Sequence, residues 1–186
     1  MSLACHDLRT PLATVIGFVR TLPRVVDADE RASRYLALMD AAAEQLSALL
    51  DDLSLAARIE SGRYDPLVGE ADTLELARSA AQRTTDGEVE VGGRGAAVAV
   101  DVDSTVVALA HLARCGLRHG GIERVRLDAD GPSVALSPVA PDIAPILLGE
   151  DLRDMGAAVA VRAIEAIGGS TSAEDDRVVV RLPIAP

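Results

Sequence analysis

The chain opens with Leu3-Ala4-Cys5-His6-Asp7-Leu8-Arg9-Thr10-Pro11-Leu12, which sets an imidazole beside a carboxylate at the start of a helical pattern. From Leu8 onward, apolar residues recur at alternating spacings of four and three, which predicts one buried stripe along a helix. The stripe consists of Leu8, Leu12, Val15, Val19 and Leu22. His6 lies about 100° away from this stripe, because each helical residue turns the chain by that angle. The spacing therefore predicts an accessible histidine at the edge of a packed helix.

A second helix is expected after Pro23, which is predicted to end the first one, and after a turn at residues 25–29. Its apolar residues follow a heptad spacing. They are Leu36, Met39, Ala43, Leu46, Leu50, Leu53 and Ala57. Pro11 is expected to bend the first helix, since it removes one backbone hydrogen bond. Because two such helices leave apolar flanks uncovered, residues 1–64 are predicted to form half of a homodimeric four-helix bundle.

The opening stretch resembles the H-box of sensor histidine kinases, in which His is followed by Asp or Glu, a free position, Arg, a free position and Pro. His6, Asp7, Arg9 and Pro11 match the four fixed positions. The resemblance implies a dimerisation and histidine-phosphotransfer domain in which His6 carries the phosphoryl group and Asp7 orients its imidazole. Residues 7–10 also resemble the family's phosphatase motif, so Arg9 and Thr10 complete the expected site. Family members usually carry further helix before this histidine, which suggests a portion of a longer sensor.

Residues 65–186 are predicted to form a mixed α/β domain. Helices are expected at 73–84, 104–118 and 151–167, and strands at 88–91, 97–100, 124–129, 134–136 and 177–182. Strands covered by helices on one face form a two-layer α/β sandwich, so the chain as a whole is assigned to the α+β class. The order of elements resembles the ATP-binding domain of histidine kinases.

The residues that this family uses for ATP are replaced at the matching positions. Cys115 stands where the resemblance places a Mg²⁺-binding Asn, and a thiol is a poor ligand for a hard cation. Residues 137–145, where a glycine motif should contact adenine, contain three prolines and no glycine. Asp154 precedes Gly156 where amides should hold phosphate, and the dozen or so residues after Ile143 are too few for a lid. We therefore expect this chain to bind no cofactor.

Three further features receive ordinary structural interpretations. Gly92-Gly93-Arg94-Gly95 is predicted to form a hairpin turn. His111 and His119 show no acidic or cysteine partners at ligand spacing. The two cysteines of the chain, Cys5 and Cys115, form no metal-binding or disulfide motif. No metal site is therefore predicted.

The composition excludes other classes of function. The formal net charge of -11 argues against binding nucleic acid, which requires a basic surface. No apolar run is long enough to span a membrane and no signal peptide is found, so the chain as given is expected to be cytoplasmic. Hydrophobic residues make up 49% of the chain and aromatic residues only 2%, which predicts an aliphatic core.

The leading hypothesis is a phosphorelay phosphotransferase that exchanges a phosphoryl group between His6 and the aspartate of response-regulator receiver domains. Mg²⁺ is then expected in the receiver rather than in this chain. Two alternatives stay open. The chain could be the divergent catalytic portion of a sensor autokinase, or a non-enzymatic dimer that sequesters a response regulator.

Overall fold

The computed structural model describes residues 2–25 and 29–185, with side chains described for residues 8–23 and 29–185. The chain divides into two compact units, Met1–Glu60 and Ser61–Pro186. The first unit consists of two helices, and the second combines helices with β-strands.

The first unit is a helical hairpin formed by α1 (Ser2–Val25) and α2 (Glu30–Glu60). The prediction that Pro23 ends the first helix is wrong, because α1 continues to Val25. A proline loses only its own N–H bond, so a helix can extend briefly beyond it. Asp29 begins α2 as an N-cap, since its carboxylate accepts the N–H of Ala32 at 2.7 Å. The remainder of the predicted turn, residues 26–28, lies outside the described residues.

The two helices run antiparallel, because Arg9 pairs with Asp51 while Arg20 pairs with Asp40. The seam of the hairpin includes the buried or half-buried apolar residues Leu12, Ile16 and Val19 in α1 and Leu36, Ala43, Leu50, Leu53 and Ala57 in α2. Ala32, Leu55, Ala56 and Ile59 of α2 are half-buried as well. Other apolar residues of the hairpin are exposed, and we call this set the outer apolar face. Its members are Leu8, Val15, Phe18, Leu22, Leu38, Met39, Leu46 and Leu49. Each predicted stripe is therefore divided between a buried seam and an exposed face.

The second unit contains a five-stranded sheet, a separate two-stranded sheet and four helices. Its elements are β1 (Val68–Asp72), α3 (Thr73–Gln82), β2 (Glu88–Gly95), β3 (Ala97–Asp101), α4 (Val102–Gly120), β4 (Arg124–Gly131), β5 (Ser133–Ser137), α5 (Ala144–Leu147), α6 (Met155–Ala166), β6 (Ser170–Glu174) and β7 (Arg177–Arg181). The large sheet has the order β2-β4-β5-β7-β6, and β1 pairs with β3. Only the β2–β4 pair of the described strands is parallel.

One face of the large sheet is covered by helices, and the other is open to solvent. In β4, Val125, Leu127 and Ala129 are buried, whereas Arg124 and Arg126 are exposed. Since successive strand residues point to opposite faces, this alternation indicates a single covered face. Helices α3, α4 and α6 contact the strands. The predicted two-layer α/β sandwich, and with it the α+β class, is confirmed.

The predicted hairpin turn at residues 92–95 is wrong, because these residues extend β2 in parallel pairing with β4. Gly93 has a φ of +88°, and a Cβ atom there would overlap the carbonyl oxygen of Ala129. The glycines therefore allow close strand pairing rather than chain reversal. The predicted helix at 151–167 begins only at Met155, and β1, β6 and α5 are additional elements.

Candidate functional site

The predicted phosphotransfer residues lie on the first half of α1. His6 and Asp7 belong to this helix, but their side chains are outside the part of the chain that the structure describes. Thr10 is exposed and follows His6 by four positions, which places both residues on one side of the helix. The structure therefore gives the backbone setting of the site, and the roles of His6, Asp7 and Thr10 stay predictions.

Arg9 is directed towards the second helix of the hairpin. Its Nη2 donates to Oδ1 of Asp51 at 2.5 Å and lies 3.4 Å from Oγ of Ser54. Both members of the ion pair are largely exposed, with 46% of the Arg9 side chain and 64% of the Asp51 side chain accessible. Arg9 thus connects the segment that carries His6 to α2.

In the second unit, two positions that the resemblance assigns to ATP binding, Cys115 and Asp154, lie where α4 packs against α6. Asp101 caps the start of α4 by accepting the N–H of Ser104, and Gly121 ends the helix in a left-handed conformation. Asp154 caps α6, because its Oδ1 accepts the N–H of Ala157 at 3.0 Å. The carboxylate of Asp154 therefore occupies the helix N-terminus that would otherwise suit a phosphate.

Asp154 also joins two residues of α4. Its Oδ2 lies 3.2 Å from Nε2 of His119, and 3.7 Å from the guanidinium of Arg118. The ligand atoms of Cys115, His119 and Asp154 all lie within 4.8 Å of one another. The prediction that His119 lacks acidic and cysteine partners is therefore wrong.

Two different relationships bring these partners together. Asp154 reaches His119 only because α6 packs on α4, so no local motif indicates their contact. Cys115 and His119 are four positions apart on one helix, which does place them on the same side. That spacing is the one signal in the sequence that could have revealed the cluster.

Cys115 is fully buried, and its environment opposes ionisation of the thiol. Burial and, to a smaller extent, the negative charge of Asp154 raise the pKa of Cys115 to about 12, although Arg118 acts in the opposite direction. The thiol is therefore protonated at neutral pH in the metal-free chain. In this form it is a poor ligand for Mg²⁺, which prefers oxygen.

His111 fills the space beside the start of α6. It is buried, and its Nδ1 accepts a hydrogen bond from the guanidinium of Arg114 at 2.5 Å. A Cβ atom added to Gly156 would lie 2.5 Å from this same Nδ1. The glycine at this position is thus in contact with an imidazole of the protein itself, which leaves little room for a ligand against its backbone.

The connection from β5 to α6 is packed into the core. Val139, Ile143, Ile146 and Leu147 are buried, the last two within α5. These aliphatic side chains lie in the segment where the family resemblance places adenine contacts and a lid. Together with Cys115, they suit Mg²⁺ and a nucleotide poorly.

No helix among the described residues is both long enough and apolar enough to cross a membrane.

Comparisons with known proteins extend these observations. Residues 1–62 match the His Kinase A phospho-acceptor domain. The chain is 34% identical over 86 residues to TcrY of Mycobacterium tuberculosis, named a probable sensor histidine kinase, and this match covers 46% of the chain but only 17% of TcrY. The chain therefore corresponds to a small part of that relative's length.

Two solved structures share the fold of this chain or of a large part of it. Full-length ShkA in complex with AMPPNP aligns with a TM-score of 0.73 at 20% identity, covering 98% of this chain and 45% of ShkA. The ATP-binding domain of PrrB from Mycobacterium tuberculosis aligns with a TM-score of 0.52 at 21% identity, covering 64% of this chain and 99% of that domain. Residues 1–62 therefore belong to the His Kinase A phospho-acceptor domain family, and the fold of the chain resembles that of full-length ShkA.

Proposed function

We propose that the chain carries a phosphoryl group on His6 and exchanges it with the aspartate of response-regulator receiver domains, without binding ATP itself. The observation that carries this proposal is the phospho-acceptor domain at residues 1–62, which contains a complete H-box around His6. We place the exchange in the cytoplasm as part of the same proposal.

The proposed chemistry requires an in-line nucleophile and neutralisation of phosphate charge. A neutral ring nitrogen of His6 attacks the phosphorus of a receiver's aspartyl phosphate. The P–N bond forms as the P–O bond breaks, and the receiver's carboxylate leaves. Asp7 would accept a hydrogen bond from the other ring nitrogen and so stabilise the positive charge on the imidazole. The receiver would supply Mg²⁺ from its own acidic pocket.

The part of the proposal that excludes ATP is supported by the surroundings of α4 and α6. Cys115 is buried as a protonated thiol, the N-terminus of α6 is capped by Asp154, and Gly156 contacts His111. Each of these features removes a group or a space that Mg²⁺ and phosphates need.

The autokinase alternative is favoured by a different observation, the likeness in fold to ShkA, which was solved with AMPPNP. At 20% identity this likeness concerns the fold alone. The third candidate, a scaffold that binds a response regulator without chemistry, predicts a dimer with no phosphoryl transfer. The three candidates differ in whether the chain becomes labelled by ATP, by a phosphorylated receiver domain or by neither.

We also propose that the phosphotransferase is a homodimer, formed through the outer apolar face. In each helix, the residues of this face lie roughly a quarter turn around the helix axis from the buried seam. The direction of this turn is the same in both helices when each is viewed along its own chain direction. Since the helices are antiparallel, the two sets fall on the same side of the hairpin, where they form one continuous surface. Among the described residues of this unit, nothing covers that surface, and a second copy would complete a four-helix bundle.

The test uses radiolabelled ATP and, separately, a labelled phosphorylated receiver domain. We expect acid-labile, base-stable label to pass from the receiver to the wild-type chain and none to pass to His6→Gln, because Gln cannot form a phosphoramidate. We also expect Mg-ATP to bind with a dissociation constant above about 100 μM. Cys115→Asn should not restore binding, because His111 and Asp154 remain in place.

Labelling by ATP would favour the autokinase. Equal labelling of wild-type and His6→Gln chains, or none of either, would favour the scaffold.

A further inference from the structure

We infer that Cys115, His119 and Asp154 form a binding site for a borderline-soft divalent transition cation of the Zn²⁺ class. The cluster lies in the second unit, and the inference does not depend on phosphoryl transfer by His6. Thiolate, imidazole and carboxylate are the three side chains that Zn²⁺ uses most, whereas Mg²⁺ requires mainly oxygen ligands.

The geometry of the cluster is close to that of a coordinated site. Two ligands in a tetrahedron with bonds of 2.0–2.1 Å lie about 3.3 Å apart, and Nε2 of His119 lies 3.2 Å from Oδ2 of Asp154. The sulfur of Cys115 lies within 4.8 Å of a ring nitrogen of His119 and of a carboxylate oxygen of Asp154. Since a tetrahedral S–N edge is about 3.6 Å, the sulfur needs to approach the nitrogen by about 1.2 Å at most.

The ligands are supplied by elements that hold them firmly. Cys115 and His119 are one turn apart on α4, and Asp154 is fixed because its other oxygen accepts the N–H of Ala157. The Asp154 side chain is only 10% exposed and that of His119 is 22% exposed, so a cation can enter from the His119 side. Three protein ligands would leave one coordination position for water or a small anion.

Binding replaces a proton by a metal ion. The thiol proton of Cys115 passes to solvent as the Zn–S bond forms, and no oxidation or reduction is involved. The ligand set then carries two negative charges, one from the thiolate and one from Asp154, which balance the dication. The buried cluster thereby becomes neutral.

Arg118 is the competing cation at this site. Its guanidinium lies 3.7 Å from Asp154 and 3.5 Å from Asp86, and 56% of its side chain is exposed. The guanidinium can therefore retain Asp86 and release Asp154 when a metal ion enters. Because most of the Arg118 side chain is exposed, its guanidinium stays solvated after it releases Asp154.

The test is a titration of the metal-free, tag-free chain with Zn²⁺, and with Co²⁺ as a spectroscopic probe. We expect one Zn²⁺ per chain with a dissociation constant below about 10 μM, and a thiolate-to-Co²⁺ charge-transfer band. Cys115→Ser should lose that band, and His119→Gln and Asp154→Asn should weaken Zn²⁺ binding by about 100-fold. Asn is itself a good N-cap, so the last variant keeps α6 intact.

Matched controls separate this site from others. Cys5→Ser and His111→Gln should retain both the affinity and the Co²⁺ band, because neither residue belongs to the cluster. Arg118→Gln should tighten Zn²⁺ binding several-fold, since it removes the competing charge. If Cys115→Ser does not fold, the variants of His119 and Arg118 decide the question.

Binding weaker than about 10 μM, or affinity and spectra unchanged in both Cys115→Ser and His119→Gln, would overturn the inference. The inference would also be overturned if the Co²⁺ charge-transfer band were lost in Cys5→Ser and kept in Cys115→Ser.

Discussion

Nη2 of Arg9 in α1 donates a hydrogen bond to Oδ1 of Asp51 in α2 at a distance of 2.5 Å. The resemblance to the H-box assigns Arg9 to the phosphotransfer site, yet this contact gives it a second role between the helices. Arg9 lies only three residues from His6 in sequence. The contact therefore ties α2 to the part of α1 that carries the histidine.

Removal of this pair should affect stability slightly and phosphoryl transfer little. We expect Arg9→Ala and Asp51→Ala each to lower the free energy of unfolding by at most about 1 kcal/mol, because both side chains are largely exposed. The double variant should cost no more than either single one. Denaturant unfolding of the wild-type chain, the two single variants and the double variant measures these free energies. A large loss of transfer in Arg9→Ala, with none in Asp51→Ala, would instead assign Arg9 to the chemistry.

Thr10 should act on a bound receiver rather than on phosphorylation of His6. Its side chain is exposed one turn after His6, where it could orient water towards an aspartyl phosphate. We expect Thr10→Ala to slow dephosphorylation of the receiver by about 100-fold and to leave labelling of His6 unchanged. Thr14→Ala, at another exposed position one turn later, is the matched control. Equal rates in the two variants would exclude Thr10 from this reaction.

Leu46→Asp should dissociate the proposed dimer without unfolding the hairpin. Leu46 is 53% exposed within the chain, so a charge there is harmful only when a second copy covers it. We expect an interface of about 2,000 Å², which would keep the wild-type chain dimeric at micromolar concentration. Sedimentation equilibrium should report a monomer for Leu46→Asp and a dimer for Ala48→Asp, whose exposed site lies off the outer apolar face. A wild-type monomer at this concentration would refute dimerisation.

Gly93→Ala should destabilise the second unit severely. The new Cβ would meet the carbonyl of Ala129, and the φ of +88° disfavours any side chain. We expect a loss of more than about 2 kcal/mol in the free energy of unfolding. Gly69→Ala, in the strand β1 with no atom within 4 Å of the new Cβ, should change it by less than about 1 kcal/mol. Similar unfolding midpoints for the two variants would contradict the close pairing of β2 and β4.

Local periodicity accounts for the elements that sequence analysis predicts well. The heptad stripes indicate α1 and α2, and the apolar runs indicate β3, β4, β5, β7 and α4, because each pattern repeats within its own segment. The edge strand β6 has the sequence Ser-Thr-Ser-Ala-Glu, and β1 is mostly exposed, so neither shows the alternation of a half-buried strand. These two strands form through pairing with β7 and β3 rather than through their own composition.

The H-box and the loss of the family's ATP residues are visible in the sequence, because each is a question of which residue type stands at a position. Contacts between elements cannot be predicted in this way, because they depend on which element lies next to which. The division of the stripes into a seam and an outer face depends on where the neighbouring helix lies. The pairing of Gly93 with Ala129 depends on a parallel neighbour. Asp154 meets His119 only after α6 packs on α4, since partners 35 positions apart share no local period and meet by tertiary packing alone.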